Sequence, residues 1–349
     1  TSGWVAFTDL ADRVNAGEKP SKAEFDAYGD LPAVTLWRNS LTPNTPRSTR
    51  VGNWLEAAFW DHLEREGIQK TSAERANFSR RYNYCLSRRE VIEEKLAELT
   101  GPRKCDLEEL ATYWIDPANL PESLNVLYLP GKPEIRITGD NLLVDTGVVA
   151  AGTTGQVIRQ MVSLLYRNFQ FVTGANPLDL EGEQAVVQAF RVLMNEGMTG
   201  WVEKAVDMEF DSRHPELYKV KIIPEEFFLK AQAAVGMMNR QLGGILADEE
   251  SLAEKGNPFA RHLAGMNAFS QTGYAMAAVI SGHFGDDRLK EVRDSVPAFV
   301  AAYQEAALLN PDPAPTPGDI GVELYRTVPP LNPEVYSVLM ATLEKNFPE

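Results

Sequence analysis

Residues Thr153 to Phe169 read TTGQVIRQMVSLLYRNF, and the stretch sits where the character of the chain changes. Before it lie three short runs rich in strand formers: LNVLYLPG (124–131), EIRITGD (134–140) and NLLVDTG (141–147). Pro and Gly separate them, which predicts a small sheet. After Gly155 the apolar letters recur with a helical period, and the spacing predicts helices near 155–170, 181–209, 224–247, 258–282 and 286–309. NPEVYSVLMATLEKN (332–346) predicts a last helix. The fold class expected from this order is mainly α with a small β-sheet, an α+β arrangement.

Upstream of the sheet, residues 51–120 read as a helical region. NWLEAAFWDHLEREG places Leu55, Phe59 and Leu63 on one face and ends at Gly67. A further helix opens on a capping box, Ser87 with Glu90, and closes at Gly101-Pro102. DLEELATYWI follows and is stopped by Asp116-Pro117. Residues 1–50 are expected to form an extended, partly ordered N-terminal arm: one short amphipathic stretch, GWVAFTDLADRVNAG (3–17), is followed by SLTPNTPRSTR (40–50), which suits no regular structure for long. Residues 121–310 form the expected core, and residues 311–349 a Pro-rich spacer with the C-terminal helix.

The 349 residues carry a net charge of -15, which argues against a nucleic-acid partner because phosphate contacts need clustered Lys and Arg. No run approaches the roughly 18 apolar residues of a membrane span, so no transmembrane segment is expected. The one basic concentration, Arg75, Arg80, Arg81, Arg88 and Arg89, reads as a solvated helical face. Cys85 and Cys105 flank a helix of roughly 20 Å, too long for an easy bridge between Cα atoms that should lie about 5.5 Å apart. The sequence starts at Thr1, from which a processed N-terminus and an extracytoplasmic location, periplasmic or secreted, are expected.

The chemistry turns on two helices. Zinc hydrolysis on a helix needs two histidines at i and i+4 and a glutamate beside the first as general base. The order here is short strands, then GQVIRQMVSLL, then LMNEGMTGWVEK, then GYAMAAVISGHFGDD. It resembles the gluzincin-like families of zinc-dependent peptidases, over roughly residues 120–310. The resemblance implies a zincin-like core. It also implies that Asn195-Glu196-Gly197 stands at the third-ligand position, with Gly273, Tyr274, Met276 and Ala277 on a later helix. At the decisive motif the chain departs from the family. Gln156 and Gln160 stand where the histidines belong, and Val157 stands where the catalytic glutamate belongs.

A glutamine carbonyl is a poor substitute for imidazole at zinc, and valine accepts no proton. His62, His214, His262 and His283 are scattered, with no i, i+4 pair among them. The resemblance therefore implies a degenerate metallopeptidase core, with Gln156, Val157, Gln160 and Glu196 as a vestigial site that holds no catalytic residue, metal or cofactor. In that reading a glutamine, Gln156 or Gln160, is expected to donate to the Glu196 carboxylate. The alternative is that the glutamines are ordinary polar helix residues and Asn-Glu-Gly an ordinary turn.

Other chemistry is missing from the letters. GTTGQ lacks the lysine of a phosphate loop, no serine elbow appears, and Glu181, Glu183, Glu203 and Asp207 read as a solvated helix face. The expected role is a non-catalytic structural or accessory subunit with a protein partner, for instance a membrane-embedded assembly reached from its periplasmic side. Two alternatives stay open: a metal-dependent hydrolase that joins Glu196 to His262 or His283, and a peptide- or ligand-binding module using the vacated cleft.

Overall fold

A computed structural model of the chain describes residues 2–40, 81–131, 134–203, 224–309 and 328–348. The expected helix at 53–67, the spacer at 310–319, and Arg75, Arg80, His62, His214 and Asp207 lie outside the described residues. The described residues fall into two compact units, one running to Leu165 and the other starting at Tyr166. The fold class expected from the letters is the one found: mostly helix, with one small mixed sheet.

The first unit opens with three helices, α1 (Ser2–Asn15), α2 (Lys22–Gly29) and α3 (Pro32–Ser40). This corrects the expectation of an extended arm over that part of the chain. The reason is periodicity: Trp4, Phe7, Ala11 and Val14 recur every three or four residues, and all are buried, as are Phe25, Tyr28 and Trp37. The Pro- and Thr-rich letters that suggested an arm lie beyond α3. Helices α4 (Arg89–Thr100) and α5 (Lys104–Trp114) follow. Ser87 makes no capping box; its hydroxyl donates to Tyr84 O, and residues 81–87 are already helical. The expected solvated face is mixed in character. Arg89 pairs with Asp12 and Glu93, while Arg81 turns inward and donates to Gly131 O at 3.4 Å.

Three strands make the sheet: β1 (Asn125–Leu129), β2 (Ile135–Thr138) and β3 (Asn141–Asp145). Their order is β1–β3–β2, with β1 parallel and β2 antiparallel to the central β3. Leu142, Leu143 and Val144 of β3 are buried, which fits a central strand. Asp145 ends the strand and caps α6 (Thr146–Ala151), accepting from the N–H groups of Gly147 and Val148 at 2.8 and 3.3 Å. Lys95 closes the other end of α6, donating to Ala150 O and Gly152 O at 3.1 and 2.6 Å. Helix α7 (Thr154–Phe169) comes next. Cys85 is buried and Cys105 exposed, and both are free thiols.

The second unit's described elements include no strand; its α-helices after α7 are α8 (Gly182–Glu203), α9 (Pro224–Leu246), α10 (Glu249–Gly265), α11 (Ala268–Phe284), α12 (Asp286–Val292), α13 (Val296–Leu309) and α14 (Pro333–Asn346). Helix α11 is the axis, packed by α8, α9 and α13. Its sequence, AFSQTGYAMAAVISGHF, allows this because small residues leave room for neighbours on several sides. Gln304 of α13 holds Leu331 through both amide groups, at 2.9 and 2.8 Å, and so fixes the approach to α14.

Candidate functional site

Helix α7 carries three of the four residues singled out in the sequence. Gln156 sits in its first turn and is part of a capping box. Its side-chain carbonyl accepts from Thr153 N–H at 2.7 Å, and the Thr153 hydroxyl accepts from Gln156 N–H at 3.2 Å. The T-x-x-Q spacing of that box is legible in the letters TTGQ, but the zinc-peptidase reading passes over it. Val157 belongs to the core: it is 1% exposed and faces the first unit's interior with Ile158, Met161 and Val162. Gln160 is half-buried. At about 100° per residue, positions 156, 160, 163 and 167 share one stripe of the helix, while 158, 161 and 165 lie on the opposite side.

The Asn195-Glu196-Gly197 triplet lies in the middle of α8, not in a turn between helices, and each residue has a separate task. The amide of Asn195 pairs with the backbone of Val172 in both directions, donating to its O at 2.8 Å and accepting from its N–H at 3.3 Å. That pins the segment leaving α7 to the side of α8 within the second unit. Glu196 accepts from the Arg167 guanidinium at 2.9 Å. This donor is an arginine of the same unit as Glu196. A guanidinium neutralises the carboxylate's charge as well as donating to it. Arg167 in the last turn of α7 is a residue the sequence reading missed, although it stands on the 156–160–163 stripe.

Gly197 meets Gly273 where α8 crosses α11. A Cβ at Gly273 would lie 1.9 Å from Leu193 O, and one at Gly197 only 2.2 Å from the Gly273 carbonyl carbon. Only glycine lets the two backbones come this close. Next to the crossing, Tyr274 packs between Trp201 and Phe227, with ring centroids 5.6 and 5.3 Å away, and Met276 and Ala277 are fully buried. The Trp201 indole N–H donates to Asp286 at 2.9 Å. Tyr274 is a core residue, while Trp201 and Phe227 beside it are half-buried.

Among the described residues the donors at the expected positions do not fit zinc. Gln156 is engaged in a helix cap, Val157 offers no donor, and Glu196 is neutralised by Arg167. His262 on α10 and His283 on α11 are exposed. Among the described residues no group of three or more His, Cys, Asp or Glu could hold a metal ion. Glu183 sits in an exposed helix-end cluster, accepting from Lys345 at 3.0 Å and Asn346 at 2.5 Å.

The most strongly perturbed acid lies elsewhere, in the first unit. Asp145 is buried at the end of β3, and besides capping α6 it accepts from Gly131 N–H at 2.6 Å. Burial pushes its carboxyl up to about 7, against the pull of those backbone donors and of Arg81. Cys85 donates nothing to it; the Cys85 sulfur accepts from the Thr146 hydroxyl at 3.5 Å, and burial raises the thiol far above its ordinary range. A raised thiol is unreactive, so Cys85 is a core residue.

A family model described as "Putative zinc dependent peptidase (DUF5700)" matches residues 171–312, which is 142 of the 349 residues. The match contains Asn195-Glu196-Gly197 and the Gly273-Tyr274 helix and begins just past the end of α7, so Gln156, Val157 and Gln160 fall outside it. No curated protein and no solved structure matches the chain. The second unit is thus similar to a zinc-peptidase family in the stretch that holds the helix crossing.

Proposed function

We propose that the chain is a metallopeptidase-like protein without hydrolytic activity, serving as a structural or accessory subunit of a larger assembly. The observation that carries this reading is what the family-like residues do. Glu196, at the third-ligand position, is committed to Arg167; Asn195 clamps Val172; Gly197 and Gly273 make a helix crossing. Each of these residues thus contributes to packing, and α7 offers a cap and a core valine in place of imidazoles and a general base. A scaffold that keeps its fold while losing its ligands retains its surfaces for binding.

Two measurements test the proposal. Metal analysis of the full chain after incubation with zinc and dialysis should show no stoichiometric zinc, and peptide hydrolysis should be indistinguishable from buffer. One bound zinc per chain, lost together with peptidase activity in Glu196→Gln, would overturn the non-catalytic reading. A native mass spectrum of the protein from its own source should show it within a larger assembly. A bare monomer there would remove the accessory role.

A further inference from the structure

Among the described residues β1 is an edge strand, with β3 as its sole neighbour in the sheet. Asn125 donates to Asp140 O at 2.9 Å, and the parallel register pairs Leu127 with Leu143. In a parallel ladder alternate residues turn both backbone groups the same way, so positions 125, 127 and 129 face β3. The N–H and C=O of Val126 therefore point outward, and no described residue takes up either. One end of this edge is closed by α1: a Cβ at Gly3 would lie 2.9 Å from Leu129 Cβ and 3.0 Å from Tyr128 O. The open part runs from Leu124 to Leu127.

That open edge borders a groove of about 380 Å³ in the first unit, with Leu99, Val126, Ile158 and Met161 among its apolar walls. Its charged lining residues are Arg103 and Lys104, both basic, on a chain of net charge -15. Arg103 is braced by Asp106 at 2.7 Å, and Lys104 is exposed. Ile158 and Met161 lie on the side of α7 away from Gln156 and Gln160, so the groove is distinct from the candidate site above. Exposed edges are ordinarily blunted by Lys, Pro or a bulge, and LNVLYL (124–129) contains no charge and no proline.

We infer that this groove receives an extended segment of a partner protein, which adds a strand to β1 and sets an acidic side chain against Lys104 and Arg103. Main-chain bonds to Val126 would supply the strand pairing, and apolar side chains at alternate positions would fill the groove between Leu99, Ile158 and Met161. The local pair of Lys104 and Arg103, rather than the net charge of the chain, selects an occupant that carries a carboxylate at this point of the groove. The inference does not depend on whether the chain hydrolyses peptides.

The test uses the full chain and random decapeptides displayed on phage. Enriched peptides should alternate apolar residues and carry Asp or Glu, and fluorescence polarisation should show saturable binding of the synthetic peptides. Val126→Pro deletes one outward N–H and leaves the ladder to β3 intact, so it should weaken binding by about tenfold or more. Lys104→Glu alters an exposed side chain and should weaken the acidic peptides by a similar factor; it keeps the test decisive should Val126→Pro not fold. Failure to enrich any binder, enrichment of basic peptides, or binders unaffected by Lys104→Glu and by a folded Val126→Pro would overturn the inference.

Discussion

Replacing Gly273 by alanine adds one methyl group at the tightest point of the second unit. The new Cβ would stand 1.9 Å from Leu193 O, 2.8 Å from Gly197 Cα and 2.9 Å from Gly197 N. Ordinary contact begins near 3.4 Å, so α8 and α11 must separate by roughly 1.5 Å at the crossing. All three obstacles are backbone atoms, and no rotamer change can relieve them. Overpacking of this kind costs about 1–3 kcal/mol and sometimes more, and the rigid surroundings place Gly273→Ala at the upper end. Alanine's better helix propensity returns up to about 1 kcal/mol. A net loss of about 2–3 kcal/mol lowers the melting temperature of a body this size by roughly 5–10 °C. Gly282→Ala is the matched control, on the same helix with nothing within 4 Å of its added methyl group. Thermal unfolding followed by circular dichroism should place Gly282→Ala at or slightly above the parent and Gly273→Ala well below it. Equal melting temperatures for the two variants would refute the crossing as drawn, and with it the structural role assigned to the motif glycines.

Two further outcomes follow from the first unit. The Asp145 carboxyl is raised by burial from 3.8 to about 7, so between those values the unfolded chain has lost a proton that the folded chain keeps. Stability should therefore fall as pH rises from about 4 to about 7 and level off above, by at most about 4 kcal/mol at roughly 1.4 kcal/mol per pH unit. Urea midpoints across that range should show the slope, and Asp145→Asn should flatten it; an unchanged slope in the variant would assign it to other groups. At the start of α7, Gln156→Ala should cost about 1 kcal/mol by opening the capping box with Thr153, while Gln156→Glu should cost little because glutamate serves the same position. If Gln156→Ala and Gln156→Glu prove equally stable in urea, the cap contributes nothing and Gln156 needs another explanation.

Much of this architecture is local and therefore written in the letters. The β-rich runs at 124–147, the helices that follow and the T-x-x-Q box all depend on residues within a few positions of one another. The same kind of signal marks α1, where Trp4, Phe7, Ala11 and Val14 keep a helical period, and it is the remainder of the segment, with α2 and α3, that the Pro-rich letters near 40–50 drew into an arm. The sequence by itself also determined that α7 carries no imidazole at 156 or 160, which follows from composition alone. What Glu196 would do without zinc was not legible. Its partner Arg167 lies 29 positions away, and only packing decides which of several cations reaches a given carboxylate. Likewise Gly197 and Gly273 look like two unrelated glycines until α8 and α11 are laid across each other. Asp145 reads as an ordinary strand-end cap; that it is buried, and so holds its proton toward neutral pH, is set by how the surrounding helices and the sheet exclude water. Periodicity fixes which side of an element turns inward, whereas the identity of the atoms waiting there is a property of the tertiary fold alone.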